Sequence, residues 1–195
     1  MTEAAATHRE RPRAVPAGNV RVWDPLVRLI HWGVVAGVVL NAALLEDDGK
    51  AHEVVGYVVL GFVLVRLIWG LVGTTHARFS AFPPNPLAAL RHLAGLLRGH
   101  RRVHLSHNPA GALMAYNLWA TLIGLAATGY MMGTPRYFGM EWVEELHEGL
   151  FAWLMISVAL HVAAVLLDSW LTRVPLLRAM ITGRKRLPPD AGPGR

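Results

Sequence analysis

The chain alternates long apolar stretches with short polar ones, and each long stretch is long enough to cross a bilayer. A spanning helix needs about 20 predominantly apolar residues. Stretches of this length cover about residues 26–45, 52–72, 110–132 and 146–167. The pattern predicts an all-α integral membrane protein built as a four-helix bundle.

The polar loop between the second and third stretches contains leucines at helical spacing, with Arg91 and Arg98 off the leucine stripe. Such a pattern is typical of an amphipathic helix lying in the lipid headgroup region. A plain solvated connector is the alternative. The stripe consists of Leu87, Leu90, Leu93, Leu96 and Leu97.

Both ends of the chain are polar and have no apolar periodicity. Residues 1–20 carry Arg and Pro and have no apolar run typical of a cleavable signal peptide. We therefore expect a disordered tail over 1–20, a transmembrane domain over 21–183 and a second, basic tail over 184–195.

Composition supports the membrane assignment and removes several kinds of site. Of the 195 residues, 53% are hydrophobic and 16% are charged, and the mean hydropathy is +0.35. Cysteine is absent. Disulfides, zinc–thiolate sites, iron–sulfur clusters and thiol catalysis are thereby excluded.

The basic residues are distributed unevenly between the two sides of the predicted bundle. The loops after the first and third spans contain only Lys50 and Arg136, and the other Lys and Arg residues lie in the tails, the middle loop or the adjoining span ends. The positive-inside rule therefore places both termini and the middle loop in the cytoplasm. This distribution explains the net charge of +6 without a nucleic-acid partner. The outer side collects acidic residues: Glu46, Asp47, Asp48, Glu53, Glu141, Glu144, Glu145 and Glu148.

Four of the ten histidines lie in or at the mouth of a span: His31, His52, His147 and His161. Ionisable side chains at such positions are energetically costly and indicate a functional site. The other six lie in the tails and the middle loop, where we interpret them as solvated or interfacial: His8, His76, His92, His100, His104 and His107.

Depth in the membrane groups the four span histidines into two pairs. His31 and His161 lie toward the cytoplasmic side, whereas His52 and His147 lie toward the outer side. The 14 residues from His147 to His161 make close to four helical turns, so both rings project from nearly one face, about 21 Å apart.

Two imidazoles at each level suit bis-histidine ligation of a haem iron, because the porphyrin supplies the other four nitrogen ligands. A closed zinc site would lack ligands at either level. Arg66 lies 14 residues after His52, at the level of the cytoplasmic pair. It is a candidate partner for a haem propionate, with a cation snorkelling to the interface as the alternative.

These residues resemble the bacterial cytochrome b561 family, which is related to the b-type cytochrome subunits of nickel–iron hydrogenases and formate dehydrogenases. The resemblance rests on "DPLVRLIHW" at the first span, on His52 followed by Gly56 and Arg66, and on His147 with His161 in a fourth span. It implies a four-helix bundle that encloses two b haems in the bacterial inner membrane. The implied axial ligands are His31, His52, His147 and His161.

The resemblance also implies transfer of electrons between a membrane quinone and a partner at the outer surface, as in a respiratory chain. The acidic outer rim favours a basic partner such as a periplasmic c-type cytochrome. A dehydrogenase subunit is the other candidate, although the short loop between the first two spans offers it little outer surface. Two alternatives stay open, namely a superoxide:quinone oxidoreductase acting on its own and a non-haem metal carrier or scaffold.

Overall fold

The structure is a computed structural model that describes residues 18–45, 49–98 and 104–187. Four helices in this part are long and apolar enough to cross a membrane, which confirms the four predicted spans. They are α1 (Pro25–Ala43), α2 (Lys50–Val72), α4 (Pro109–Met132) and α5 (Glu141–Thr172). The shorter elements are strand β1 (Gly18–Arg21), a 3₁₀ turn (Phe79–Ala81), helix α3 (Pro86–Leu97), helix α6 (Leu176–Thr182) and strand β2 (Arg184–Leu187).

Three helices start with the same local signal, an Asp or Asn followed directly by proline. Asp24, Asn85 and Asn108 precede α1, α3 and α4, and each side chain accepts a hydrogen bond from the backbone N–H three residues later. Proline at the first helical position has no N–H to leave unpaired, and the capping side-chain oxygen accepts from another backbone N–H of the first turn. The sequence therefore fixes where these helices begin.

The spans pack as two antiparallel hairpins, α1 with α2 and α4 with α5, and α2 against α4 joins them. Gly33 and Gly37 let α1 approach α2 closely, because a Cβ at these positions would meet the side chains of Phe62 and Val59. Gly33 and Gly37 thus serve helix packing. The shared core contains Val59, Val63, Leu122 and Leu154.

Helix α5 packs mainly on α4 and α6. Its Leu154 also joins the core cluster that contains Val59 and Val63 of α2. The four span histidines lie on α1, α2 and α5.

At one end of the bundle, segments from both chain termini form a small folded unit, which we call the terminal cap (residues 18–24, 73–82, 104–108 and 174–187). Strands β1 and β2 pair antiparallel within it, with Asn19 opposite Arg186. A buried apolar cluster beneath them consists of Val22, Trp23, Val27, Ala77 and Ala179.

The cap changes the predicted domain limits. Residues 18–20 are expected in a disordered tail and residues 184–187 in a basic tail, yet they form the paired strands. The backbone carbonyl of Gly183 accepts hydrogen bonds from Val22 and Trp23 at 2.9 and 3.1 Å and fixes the pairing. The rest of the two predicted tails, 1–17 and 188–195, lies outside the described residues.

The middle loop contains a helix where the leucine stripe predicts one. Ala89 of α3 is buried at 5% exposure, whereas Leu87, Leu90 and Leu93 stand outward at 55, 64 and 48%. The helix α3 packs on α4 through its opposite side.

Candidate functional site

His52 of α2 and His147 of α5 face each other. Their ring centroids are 6.5 Å apart and the ring planes are inclined by 58°. Metal–imidazole bonds are about 2 Å long, as zinc sites show, so this separation accommodates one metal atom between the two rings. The pair predicted from depth in the membrane is thus also a pair in space.

The ring of His147 is held by a side chain that the sequence does not single out. Thr128 Oγ1 lies 2.8 Å from His147 Nδ1, and the same hydroxyl donates to the backbone carbonyls of Gly124 and Leu125 at 2.9 and 3.1 Å. The direction of this bond follows the tautomer of the ring. When Nδ1 carries the proton, Thr128 Oγ1 accepts from Nδ1–H and the lone pair of the imidazole lies on Nε2, the form that metal ligation through Nε2 requires.

His52 differs from His147 in its surroundings. Its Nδ1 is buried and makes no hydrogen bond within the described part of the chain. Its backbone carbonyl accepts a hydrogen bond from Asn41 Nδ2 at 3.2 Å, which ties the start of α2 to the end of α1.

His31 and His161 lie on α1 and α5 at the other level of the bundle. Both are half-buried, and they are close enough for an electrostatic interaction between the two imidazoles. Trp32 packs edge-on against His31, with ring centroids 5.2 Å apart. The second predicted pair also shares one region of the interior.

Arg66 lies inside the protein rather than at its surface. It is 4% exposed, its Nη2 donates to the carbonyl of Ala77 at 3.0 Å, and its Nη1 is buried without a hydrogen-bond partner among the described residues. The guanidinium lies 5.0–5.9 Å from the ring centroids of Phe79, Phe82 and Trp119. A snorkelling cation would reach water, which this one does not.

Two basic side chains of the terminal cap, His107 and Lys185, lie near this level. His107, which the sequence predicts as solvated or interfacial, is half-buried. The ring of His107 packs against Trp23 and Phe82 at centroid distances of 4.9 and 4.6 Å. Burial, with the nearby charges of Lys185 and Arg66, lowers the pKa of His107 to about 3. His107 is therefore neutral at physiological pH.

Lys185 is 4% exposed, and its Nζ donates to the carbonyls of His104 and Ser106, each at 2.9 Å. Burial lowers its pKa to about 8, while the charge of Asp168 acts in the opposite direction. The sequence around Lys185 gives no local sign of this burial, because the burial depends on pairing of β2 with β1, more than 160 residues away.

Between the two histidine levels, α4 and α5 are joined by a chain of polar groups. Trp153 Nε1 donates to Asn117 Oδ1 at 2.9 Å, and Asn117 Nδ2 donates to Ser157 Oγ at 2.9 Å. The polar group of Asn117 is used for helix association within the membrane.

The donor set fits a haem better than a bare metal ion. No group of three or more His, Asp or Glu side chains with the geometry of an ion site occurs in residues 18–45, 49–98 and 104–187. Paired imidazoles from separated helices, within an apolar bundle, are the ligands that a porphyrin iron accepts.

A family model for prokaryotic cytochrome b561 matches residues 22–183. The chain belongs to this family. The match runs from the segment before α1 to the end of α6, so it includes all four spans. The resemblance read from the sequence is confirmed, and the protein is a membrane b-type cytochrome, which implies haem b as cofactor and electron transfer as its chemistry.

Two curated proteins resemble nearly the whole chain. A probable Ni/Fe-hydrogenase B-type cytochrome subunit from Bradyrhizobium diazoefficiens is 22% identical over 94% of this chain and 92% of its own length. A protein of the same description from Rhizobium leguminosarum bv. viciae is 22% identical over 94% of this chain and 95% of its own length.

A third similarity is of another kind. The fluoride-specific ion channel FluC of Nitrosomonas europaea is 33% identical over 113 residues, which are 56% of this chain and 83% of the channel. The family model extends over residues 22–183, and both full-length relatives are cytochrome subunits. The wider matches therefore carry the assignment.

Proposed function

We propose that this cytochrome holds two b haems, one at each histidine level, and moves electrons across the membrane between a quinone and a partner at the outer surface. The observation that carries the proposal is the facing of His52 and His147 at 6.5 Å between ring centroids. His31 and His161 would be the ligands at the second level. When bound at these residues, haem b would supply one-electron transfer.

The chain's own residues would orient and insulate this pathway. Thr128 holds the ring of His147, and Trp32 packs against His31. Arg66 Nη1, buried and unpaired among the described residues, would meet a haem propionate at the inner level. A charge-assisted bond of this kind would offset the cost of burying the guanidinium.

A dehydrogenase subunit is the partner that the comparisons support, because both full-length relatives are described as cytochrome subunits of Ni/Fe hydrogenase. The exposed glutamates of the outer rim, among them Glu53, Glu141 and Glu144, would also attract a basic c-type cytochrome. The comparisons do not favour the superoxide alternative. Of the two outer cations, Lys50 forms an ion pair with Glu53 at 2.7 Å, which weakens its attraction for a substrate anion.

The surroundings of the bundle complete the proposal. Both termini and the terminal cap would lie in the cytoplasm of a bacterium, with the spans in its inner membrane. The outward leucines of α3 (Leu87, Leu90 and Leu93) would rest in the headgroup region on the cytoplasmic side, since such side chains gain by leaving water.

Electron transfer in proteoliposomes tests this function. With purified protein inserted in one direction, a membrane-impermeant reductant outside should reduce both haems, and a short-chain quinone should reoxidise them. The variant His161→Ala should keep the outer haem reducible and lose most quinone reduction. Thr121→Val, which alters a buried α4 residue whose hydroxyl donates to the carbonyl of Asn117, should retain reduction of both haems and of the quinone. Absence of haem absorption, or equal quinone reduction by wild type and His161→Ala, would refute the proposal.

A further inference from the structure

The four span histidines differ in how their rings are held. Within residues 18–45, 49–98 and 104–187, His147 is the span histidine whose ring nitrogen has a hydrogen bond to a side chain of another helix, namely Thr128 of α4. His52, which faces it, has a buried Nδ1 without a hydrogen-bond partner in the same part of the chain. The outer pair therefore consists of one ring that is anchored and one that is not.

The contact places Thr128 in a chain of hydrogen bonds that runs from the helix backbone to the imidazole. The Thr128 hydroxyl donates to the carbonyls of Gly124 and Leu125, and its oxygen lies 2.8 Å from His147 Nδ1. When His147 binds a metal through Nε2, its Nδ1 carries the proton and Thr128 Oγ1 accepts from it. Donating to carbonyls polarises the hydroxyl and makes its oxygen a better acceptor. An acceptor on Nδ1 in turn raises the basicity of Nε2, the nitrogen that would bind a metal.

The neighbouring residue leaves room for this arrangement. A Cβ at Gly129 would lie 3.5 Å from His147 Cε1 and 3.9 Å from Nδ1, which is ordinary contact distance. A longer side chain at this position would press on the ring. Two consecutive positions of α4 thus face His147, one bonding it and one leaving it space.

We propose that Thr128 is a positioning residue that fixes the Nδ1–H tautomer of His147 and lowers the reduction potential of the outer haem. The inference rests on the proposed function, since it takes His147 as an axial ligand. A more basic ligand stabilises ferric over ferrous iron, so removal of the hydroxyl should favour the reduced state. The effect should be confined to the haem bound at the level of His52 and His147.

A redox titration followed by visible absorption tests the inference on haem-loaded protein, without any turnover. Thr128→Val, which preserves shape and removes the hydroxyl, should shift the reduction equilibrium of one haem up to about tenfold toward the ferrous form. A tenfold change equals about 59 mV for a one-electron couple. Thr128→Ser keeps the hydroxyl and should restore the wild-type value.

Thr121→Val is the matched control. Thr121 lies on the same helix, is also buried at 5% exposure, and donates to the carbonyl four residues earlier at 2.9 Å. No hydrogen bond from its hydroxyl to a histidine occurs among the described residues. Its variant should leave both potentials unchanged, which separates loss of a helix back-bond from loss of the ligand contact.

The outcomes distinguish the two proposals. Two haem transitions in wild type with neither moved by Thr128→Val would overturn the role of Thr128 and leave the proposed function intact. A wild-type protein without haem transitions would overturn both. If the valine variant fails to insert, Thr128→Ala adds no bulk and serves in its place, with the same single-haem shift expected and an unchanged titration contradicting the inference.

Discussion

Replacing Lys185 with methionine should remove a pH dependence from the terminal cap. Lys185 is 4% exposed, and burial lowers its pKa from 10.5 to about 8. Between about pH 8 and 10.5, Lys185 is protonated in the opened cap and deprotonated in the closed cap. The free energy of cap opening therefore rises with pH in this window, and it does not change through Lys185 below pH 8, where both forms are protonated.

The structure gives the magnitude. The difference between 10.5 and about 8 corresponds to about 3.4 kcal/mol at 1.36 kcal/mol per pH unit, of which about 2 kcal/mol appears between pH 8 and 10. His76 and His107 also face this lysine, but burial lowers the pKa of each below 6.5. Both are neutral throughout the window and contribute no slope.

Hydrogen exchange of the backbone amides of β1 and β2 measures cap opening directly. Wild type and Lys185→Met are compared at each pH, so the intrinsic pH dependence of exchange cancels. The opening free energy of wild type should rise relative to the variant by about 2 kcal/mol from pH 8 to 10. Arg184→Met, which removes an exposed cation from the same strand, should behave as wild type. Parallel curves for wild type and Lys185→Met would refute the reasoning.

Three further substitutions test other parts of the fold. Wild type should lose cap stability as the pH falls below 6.5, because burial holds the pKa of His107 at about 3 in the folded cap. The variant His107→Phe should not show this loss. Thermal melts at pH 5 and 7.5 check this, and an unchanged acid sensitivity in the variant would contradict it. Gly37→Leu should cost about 1–3 kcal/mol or abolish insertion, since even a Cβ there meets Val59; a melting temperature equal to wild type would contradict it. Asn117→Leu should cost about 1 kcal/mol through the lost bonds to α5, taking about 0.6 kcal/mol per bond in membranes; denaturation in mixed micelles measures it, and a stabilised variant would contradict it.

The spans and the histidine geometry could be predicted because their signals are local. Twenty apolar residues define a span wherever it packs, and helical periodicity alone places His147 and His161 on one face. The Asp–Pro and Asn–Pro pairs at the starts of α1, α3 and α4 mark helix ends in the same local way. Each inference needed only neighbouring residues.

The terminal cap and Thr128 could not be predicted because their signals are distant. Strand β1 has four residues and pairs with a strand more than 160 positions away, so neither segment shows its partner. The same pairing buries Lys185, which reads as part of a basic tail. Thr128 and Thr121 are seven residues apart and lie on nearly one face of α4. Thr128 contacts His147 because it lies at that level along the helix, and the packing of α4 on α5 decides the level.

The central claim is that His52 with His147 and His31 with His161 each hold one haem, and haem content per chain tests it most directly. A pyridine haemochrome assay on purified wild type should give two haems b per chain. His147→Ala and His161→Ala should each give one, with the remaining haem still low-spin, and the double variant should give none. One haem in wild type, or loss of both haems in either well-inserted single variant, would contradict the account.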